Sequence, residues 1–280
     1  MISGNVNCTF NPTHHMSIGN NLFLISTVCA LAWKNNAKSS FPTLKTQCEY
    51  WKKNHENTIF RNVIMDDAHV GTKHMSKLGI NCFIYEELVY ENNLELNGFY
   101  FSHKYFDMYR SQLLNMFCVD DITKKYIYDK NPVLHTDNCV SIHVRKGDYK
   151  KTSERTNGSL YRLDISYYDN SINFINNKIH NPTYLIFTEN KEDIHWCKKY
   201  IKDRFKNNNI IIMFGEHDYI DLYMMTLCKH NIIANSTFSW WGAYLNNNND
   251  KIVIFPKGWL DSTRESNFFL SDWIGIEMYN

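Results

Sequence analysis

From Cys139 onward, short β-branched and apolar runs alternate with stretches that repeat apolar residues at helical spacing. Cys139 to Val144 and Thr183 to Phe187 read as strands separated by a helical interval. A helix over 191–206, a strand at Ile210 to Phe214 and a helix at Tyr219 to Lys229 follow. The pattern closes with a strand at Asn231 to Asn235, a helix from Ser236 and a strand at Lys251 to Phe255. Such alternation predicts βαβ units around a parallel sheet. Ligands of such sheets bind beyond the carboxyl ends of the strands. The loops there, 145–148, 188–190, 215–217, 235–237 and 256–258, are polar and suit a phosphate-bearing ligand.

The first half of the chain is less regular. A glycine turn at Gly19 leads into an apolar helix from Leu22 to Trp33, and a strand is expected at Ile80 to Tyr85. Pro132 and polar residues interrupt periodicity between Asp129 and Asp137. Two α/β lobes are therefore expected, 1–135 and 136–280.

Composition fits a globular enzyme: 280 residues, 44% hydrophobic, 21% charged and a formal charge of +1. This balance gives no electrostatic footprint for a nucleic-acid partner. The Leu22 to Trp33 stretch is too short to cross a bilayer, which needs about 20 apolar residues. Met1 does not open a basic region followed by an apolar one, so neither a signal peptide nor a membrane anchor is expected. A soluble, cytoplasmic protein is the expectation. The eight cysteines form no CxxC pair and mostly sit in apolar contexts, which predicts buried free thiols rather than zinc or redox sites. Of the sequons at Asn7, Asn157 and Asn235, the last falls in the segment expected to bind a nucleotide.

His143 and Arg145 are two apart at the end of an apolar strand, so both point to one face. A guanidinium at the crevice can fork onto a diphosphate whose charge grows as a sugar departs. Its plainer role would be an ion pair with Asp148. Ser236 and Thr237 follow a buried strand and open a helix, where N–H groups and hydroxyls favour an anion; ordinary capping is the other reading. Asp221 either favours its helix dipole or accepts the two N–H donors of guanine's Watson–Crick edge. Trp240 and Trp241 read as core. No phosphate-binding P-loop, dinucleotide glycine motif, HExxH or DxD occurs. Neutralisation then falls to Arg145 and helix-end donors, with no metal and no cofactor expected.

Several segments resemble glycosyltransferase family 11, the α-1,2-fucosyltransferases. Ile18 to Phe23 is similar to G-N-Q-[ML]-F, and Leu96 to Phe106 to G-Y-F-Q-S-x-K-Y-F. His143 to Tyr149 resembles H-x-R-R-G-D-Y, and Asp221 to Leu245 resembles D-x-x-x-M-x-x-C followed by I-A-N-S-[ST]-F-S-W-W-G-A. The resemblance implies a GT-B-like pair of Rossmann-type lobes with parallel sheets. It implies transfer of L-fucose from GDP-β-L-fucose to O2 of a β-linked galactose in a glycan, with inversion and without metal. The acceptor side would be 1–135 and the GDP-fucose lobe 136–280. His143, Arg145, Asp221, Ser236, Thr237 and Phe238 would surround GDP, with Arg145 on the diphosphate. Asp148, just past Arg145, is the first candidate base, and Asn20 a candidate to position the acceptor. Asn21 and Lys146 depart from the family's Gln and Arg. A protein O-fucosyltransferase and a non-catalytic glycan-binding protein are the alternatives.

Overall fold

A computed structural model describes residues 1–5, 18–44, 58–64, 72–136, 138–146, 163–188 and 191–278. It divides into two compact units, Met1–Val119 with Thr263–Leu270, and Asp120–Ser262 with Ser271–Asn280.

In the first unit, β1 (Ile2–Asn5), β2 (Ser39–Ser40), β3 (Lys73–Lys77) and β4 (Leu94–Gly98) form a parallel sheet of order β2-β1-β4-β3. Helix α1 (Ile18–Lys34) is buried on nearly every side, as its almost unbroken apolar sequence requires. It begins before the expected Leu22, and Gly19 lies inside it rather than in a turn. The expected strand at Ile80 to Tyr85 is instead a 3-10 segment, Gly79–Phe83. Gly79 has φ +64°, which breaks extension, and among its residues only Cys82 is buried. Further along lies α2 (Arg110–Met116).

The second unit opens with α3 (Asp121–Lys130), capped by Asp120. Contacts therefore divide the chain after Val119, not after residue 135. The reason is side-chain pairing with the second unit: Lys130 and Tyr126 bind Glu216, and Asn131 donates to Met224 Sδ. Conversely, α8 (Ser262–Phe268) contributes most of its length to the first unit. There Asn267 accepts from the backbone N–H of Tyr85, and Phe268 stacks on Phe23 at 5.6 Å.

Six strands make the second sheet: β5 (Cys139–Val144), β6 (Thr183–Thr188), β7 (Asn209–Met213), β8 (His230–Ile232), β9 (Val253–Lys257) and β10 (Ile274–Glu277). All pairs are parallel, in the order β10-β9-β8-β5-β6-β7. Counted from β5, this is the doubly wound Rossmann order, in which the direction of winding reverses between the first and fourth strands. Here those strands are β5 and β8. Connecting helices are α4 (Ile165–Asn176), α5 (Lys191–Cys197, continued by a π turn over Lys198–Lys202), α6 (Asp218–Leu227) and α7 (Thr237–Tyr244). Central strands β5 and β6 are buried at every residue, which explains their continuous apolar runs.

Strand β9 starts at Val253 rather than Lys251, because the Lys251 ammonium turns to the carbonyls of Ala243 and Asn246 at the end of α7. Strand β10 was not expected from the sequence pattern. Trp240 and Trp241 are fully buried, with Trp240 stacked on Tyr244 at 4.8 Å. Cys29, Cys82, Cys139, Cys197 and Cys228 are buried free thiols, and Cys118 is free and exposed. Asn235 is fully buried, so its sequon is closed to modification in the folded chain. None of the described helices is long and apolar enough to cross a membrane.

Candidate functional site

The site grows from the two strands at the reversal point. Strand β5 carries His143 as its next-to-last residue, and Arg145 follows the strand directly. Strand β8 runs into Ala234-Asn235-Ser236, where Ser236 N–H turns back to the Ala234 carbonyl at 2.8 Å and Ser236 caps α7. Across the gap, Arg145 Nη1 donates to Ser236 Oγ at 3.2 Å. The same oxygen accepts from Phe238 N–H at 3.3 Å. With both lone pairs engaged, the hydroxyl hydrogen is left for donation, the role an anionic ligand calls for. The positive end of the α7 dipole lies at the same point.

One turn into α7, Ser239 Oγ lies 2.9 Å from His143 Nδ1 and accepts from Ala234 N–H at 3.2 Å. Both side chains are buried. The Phe238 ring, half-buried, stands 5.7 Å from the imidazole. Thr237 is buried as the first residue of α7. The structure thus brings His143, Arg145, Ser236, Thr237 and Phe238 together where β5 and the segment after β8 end. Ser239 was not singled out by sequence reasoning; its position three residues past the cap, on the same helix face, is the only local signal.

Asp221 sits in the first turn of α6. Its Oδ1 is buried and has no hydrogen-bond partner. Burial, and then the nearby charges of Glu216 and Asp218, push its carboxyl up to about 7. Such an orphaned acceptor costs about 1–3 kcal/mol unless a ligand satisfies it. The helices α6 and α7 run close together, since a Cβ on Gly242 would lie 2.8 Å from Met225 Cβ. One turn nearer the amino end of each helix, on the same faces, are Asp221 and Phe238.

Lys146 does not extend the Arg145 site as a second cation. Its ammonium stands 4.0 Å from the centre of the Trp196 ring, and its N–H donates to buried Asp193 at 3.3 Å. Asn20 lies in the first unit, half-buried in the first turn of α1. Asp148 lies outside the described residues.

The family model for glycosyl transferase family 11 matches residues 51–277. An α-1,2-colitosyltransferase of Escherichia coli is 30% identical over 191 residues, covering 67% of this chain and 64% of that protein. The O-antigen biosynthesis glycosyltransferase WbnK of the same species is 31% identical over 179 residues, 61% of this chain and 56% of that one. Human galactoside α-(1,2)-fucosyltransferase 1 is 24% identical over 197 residues, 65% of this chain and 52% of that protein. The chain thus spans less than two thirds of the length of these relatives. Among solved structures, the α-1,6-fucosyltransferase NodZ soaked with GDP-fucose has a TM-score of 0.53 at 11% identity, over 87% of this chain and 91% of that one. At that identity the likeness is one of fold, and it is to a GT-B-like protein with parallel sheets. A family match running through both units, together with the Arg145 and Ser236 segments it contains, makes this chain a member of glycosyl transferase family 11.

Proposed function

We propose that the protein transfers L-fucose from GDP-β-L-fucose to O2 of a β-linked galactose in a glycan, with inversion and without a required metal. The observation that carries this reading is the pairing of Arg145 with the Ser236 cap at the point where the sheet reverses. A diphosphate held there meets a guanidinium, a serine hydroxyl and a helix end. All three gain strength as negative charge builds on the departing phosphate, so they favour the transition state over the bound donor. Asp221, with an unsatisfied acceptor, suits the paired N–H groups of a guanine edge. His143 is held by Ser239 beside the Phe238 ring, a wall against which a flat base or ribose can pack.

Inversion calls for a single displacement, with a base taking the acceptor's proton as the bond to GDP stretches. Asp148 is the candidate base, from its place just past Arg145, and Asn20 the candidate acceptor contact, from its place near the start of α1. The similarity to a colitosyltransferase supports a second donor reading, GDP-colitose, whose sugar is fucose without its 3-hydroxyl. The two donors share every contact proposed for GDP.

The test offers GDP-fucose and GDP-colitose separately, with EDTA present, to a panel of β-galactosides, and reads product mass and linkage. Fucose on galactose O2 supports the proposal; preference for the deoxy sugar moves it to colitosyl transfer. Transfer that EDTA abolishes would overturn metal independence. GDP binding with no product from either donor would favour a non-catalytic glycan-binding role.

A further inference from the structure

The doubly wound order leaves β5 and β8 adjacent while the crossovers that follow them run to opposite faces. Arg145 and Ser236 hang from the ends of these two strands, and the sheet ladder between the strands ends at Ile142 and Ile232. Past that point β5 stays paired with β6 through Val144, and Ile233 N–H with the Ile254 carbonyl, but neither contact ties the two strand ends to each other.

Two consecutive tyrosines of α4 reach that point. Tyr167 donates its hydroxyl to the carbonyl of Ile233 at 2.6 Å and lies 3.3 Å from that of Ile254. Tyr168 donates to the carbonyl of His143 at 3.2 Å. Both side chains are buried, and their rings meet edge to face at 5.2 Å. His143 is two residues before Arg145, and Ile233 three before Ser236. Tyr168 also packs edge to face on Trp196 at 5.9 Å, the ring over which the Lys146 ammonium sits. The backbone before Arg145 is therefore held by Tyr168, while beyond it Lys146 is held through its ammonium by Trp196 and through its backbone N–H by Asp193.

Packing alone would be met by phenylalanine at both positions, and a buried hydroxyl is tolerated only where it is paired. Here each hydroxyl is spent on a carbonyl just short of the site. We infer that Tyr167 and Tyr168 are positioning residues that fix the separation of Arg145 and Ser236, acting through the backbone of β5 and of the segment after β8 without touching the ligand. This rests on the proposed donor-site reading.

The experiment compares wild type, Tyr168→Phe and Tyr167→Phe for transfer kinetics, GDP affinity by calorimetry and melting temperature, well below the melting range. A misplacement of catalytic groups by an ångström can cost about 100-fold, so a fall in kcat of about tenfold or more is expected in each variant. The acceptor KM should be unchanged. Lowered melting temperature with wild-type kcat and GDP affinity would make the tyrosines structural only and overturn the inference. A wild type that binds GDP but transfers nothing would count against the proposed activity instead. The tyrosines would then be judged on GDP affinity, with weaker binding supporting the inference and unchanged binding overturning it. If Tyr168→Phe fails to fold, Tyr167→Phe carries the same comparison from the Ser236 side.

Discussion

Gly242 of α7 and Met225 of α6 are in such close contact that a Cβ on the glycine would stand 2.8 Å from that of the methionine and 3.1 Å from its sulfur. The glycine lets two helices approach closely, and each carries a candidate donor contact one turn nearer its amino end. Gly242→Ala should destabilise the protein by about 1–3 kcal/mol through overpacking, despite alanine's better helix propensity. Thermal unfolding measures this, and calorimetry should show weaker GDP binding as Asp221 and Phe238 move apart. Unchanged stability would mean the methionine side chain yields freely.

Arg145→Ala should reduce transfer by at least about 100-fold, the usual result of removing a charged contact to a developing oxyanion. The side chain is only half-buried, so the melting temperature should hold. Arg145→Lys should recover only part of the loss, because an ammonium cannot fork onto two phosphate oxygens. Near-normal turnover by Arg145→Ala would remove this residue from the mechanism.

Ser236→Ala separates capping from catalysis. Loss of the cap should cost about 0.5–2 kcal/mol of stability, measurable by denaturant unfolding. If the hydroxyl also donates to the diphosphate, GDP affinity should fall as well; a purely structural serine would leave it alone.

Asp221 ties stability to pH. Its folded carboxyl titrates at about 7, raised first by burial and then by Glu216 and Asp218, whereas an unfolded aspartate titrates at about 3.9. Between those values the folded protein keeps a proton that the unfolded chain has lost, so this group's contribution falls as pH rises through the window. Asp221→Asn lacks that proton, and its melting temperature should decline less than the wild type's between about pH 4 and pH 7. GDP binding should run the other way in wild type, weakening below pH 7, because the carboxylate form accepts from guanine. A pH-independent GDP affinity would sink the guanine assignment.

Asp148→Asn should retain GDP binding and lose transfer if Asp148 takes the acceptor's proton. Calorimetry and a single-turnover assay read the two separately, and unchanged transfer would eliminate it as the base.

The sequence by itself determined what depends on residues within a turn or a strand of one another. The unbroken apolar run of β5 and the Ser236 cap are both local, and the structure keeps them. Local pattern failed where a single backbone angle or a distant partner intervened. Gly79 turned an apolar stretch into a 3-10 segment, and α3 joined the second unit because Glu216 and Met224 lie there. The site itself was legible only as scattered residues. Tertiary structure decided that Arg145 meets Ser236 across 91 positions and that His143 meets Ser239 across 96. It also decided that Asp221 is buried with an acceptor unmet and that two tyrosines reach the strand ends. Strand order sets these pairings, and strand order follows from how whole elements bury their faces against one another, a sum over the chain that no short segment contains.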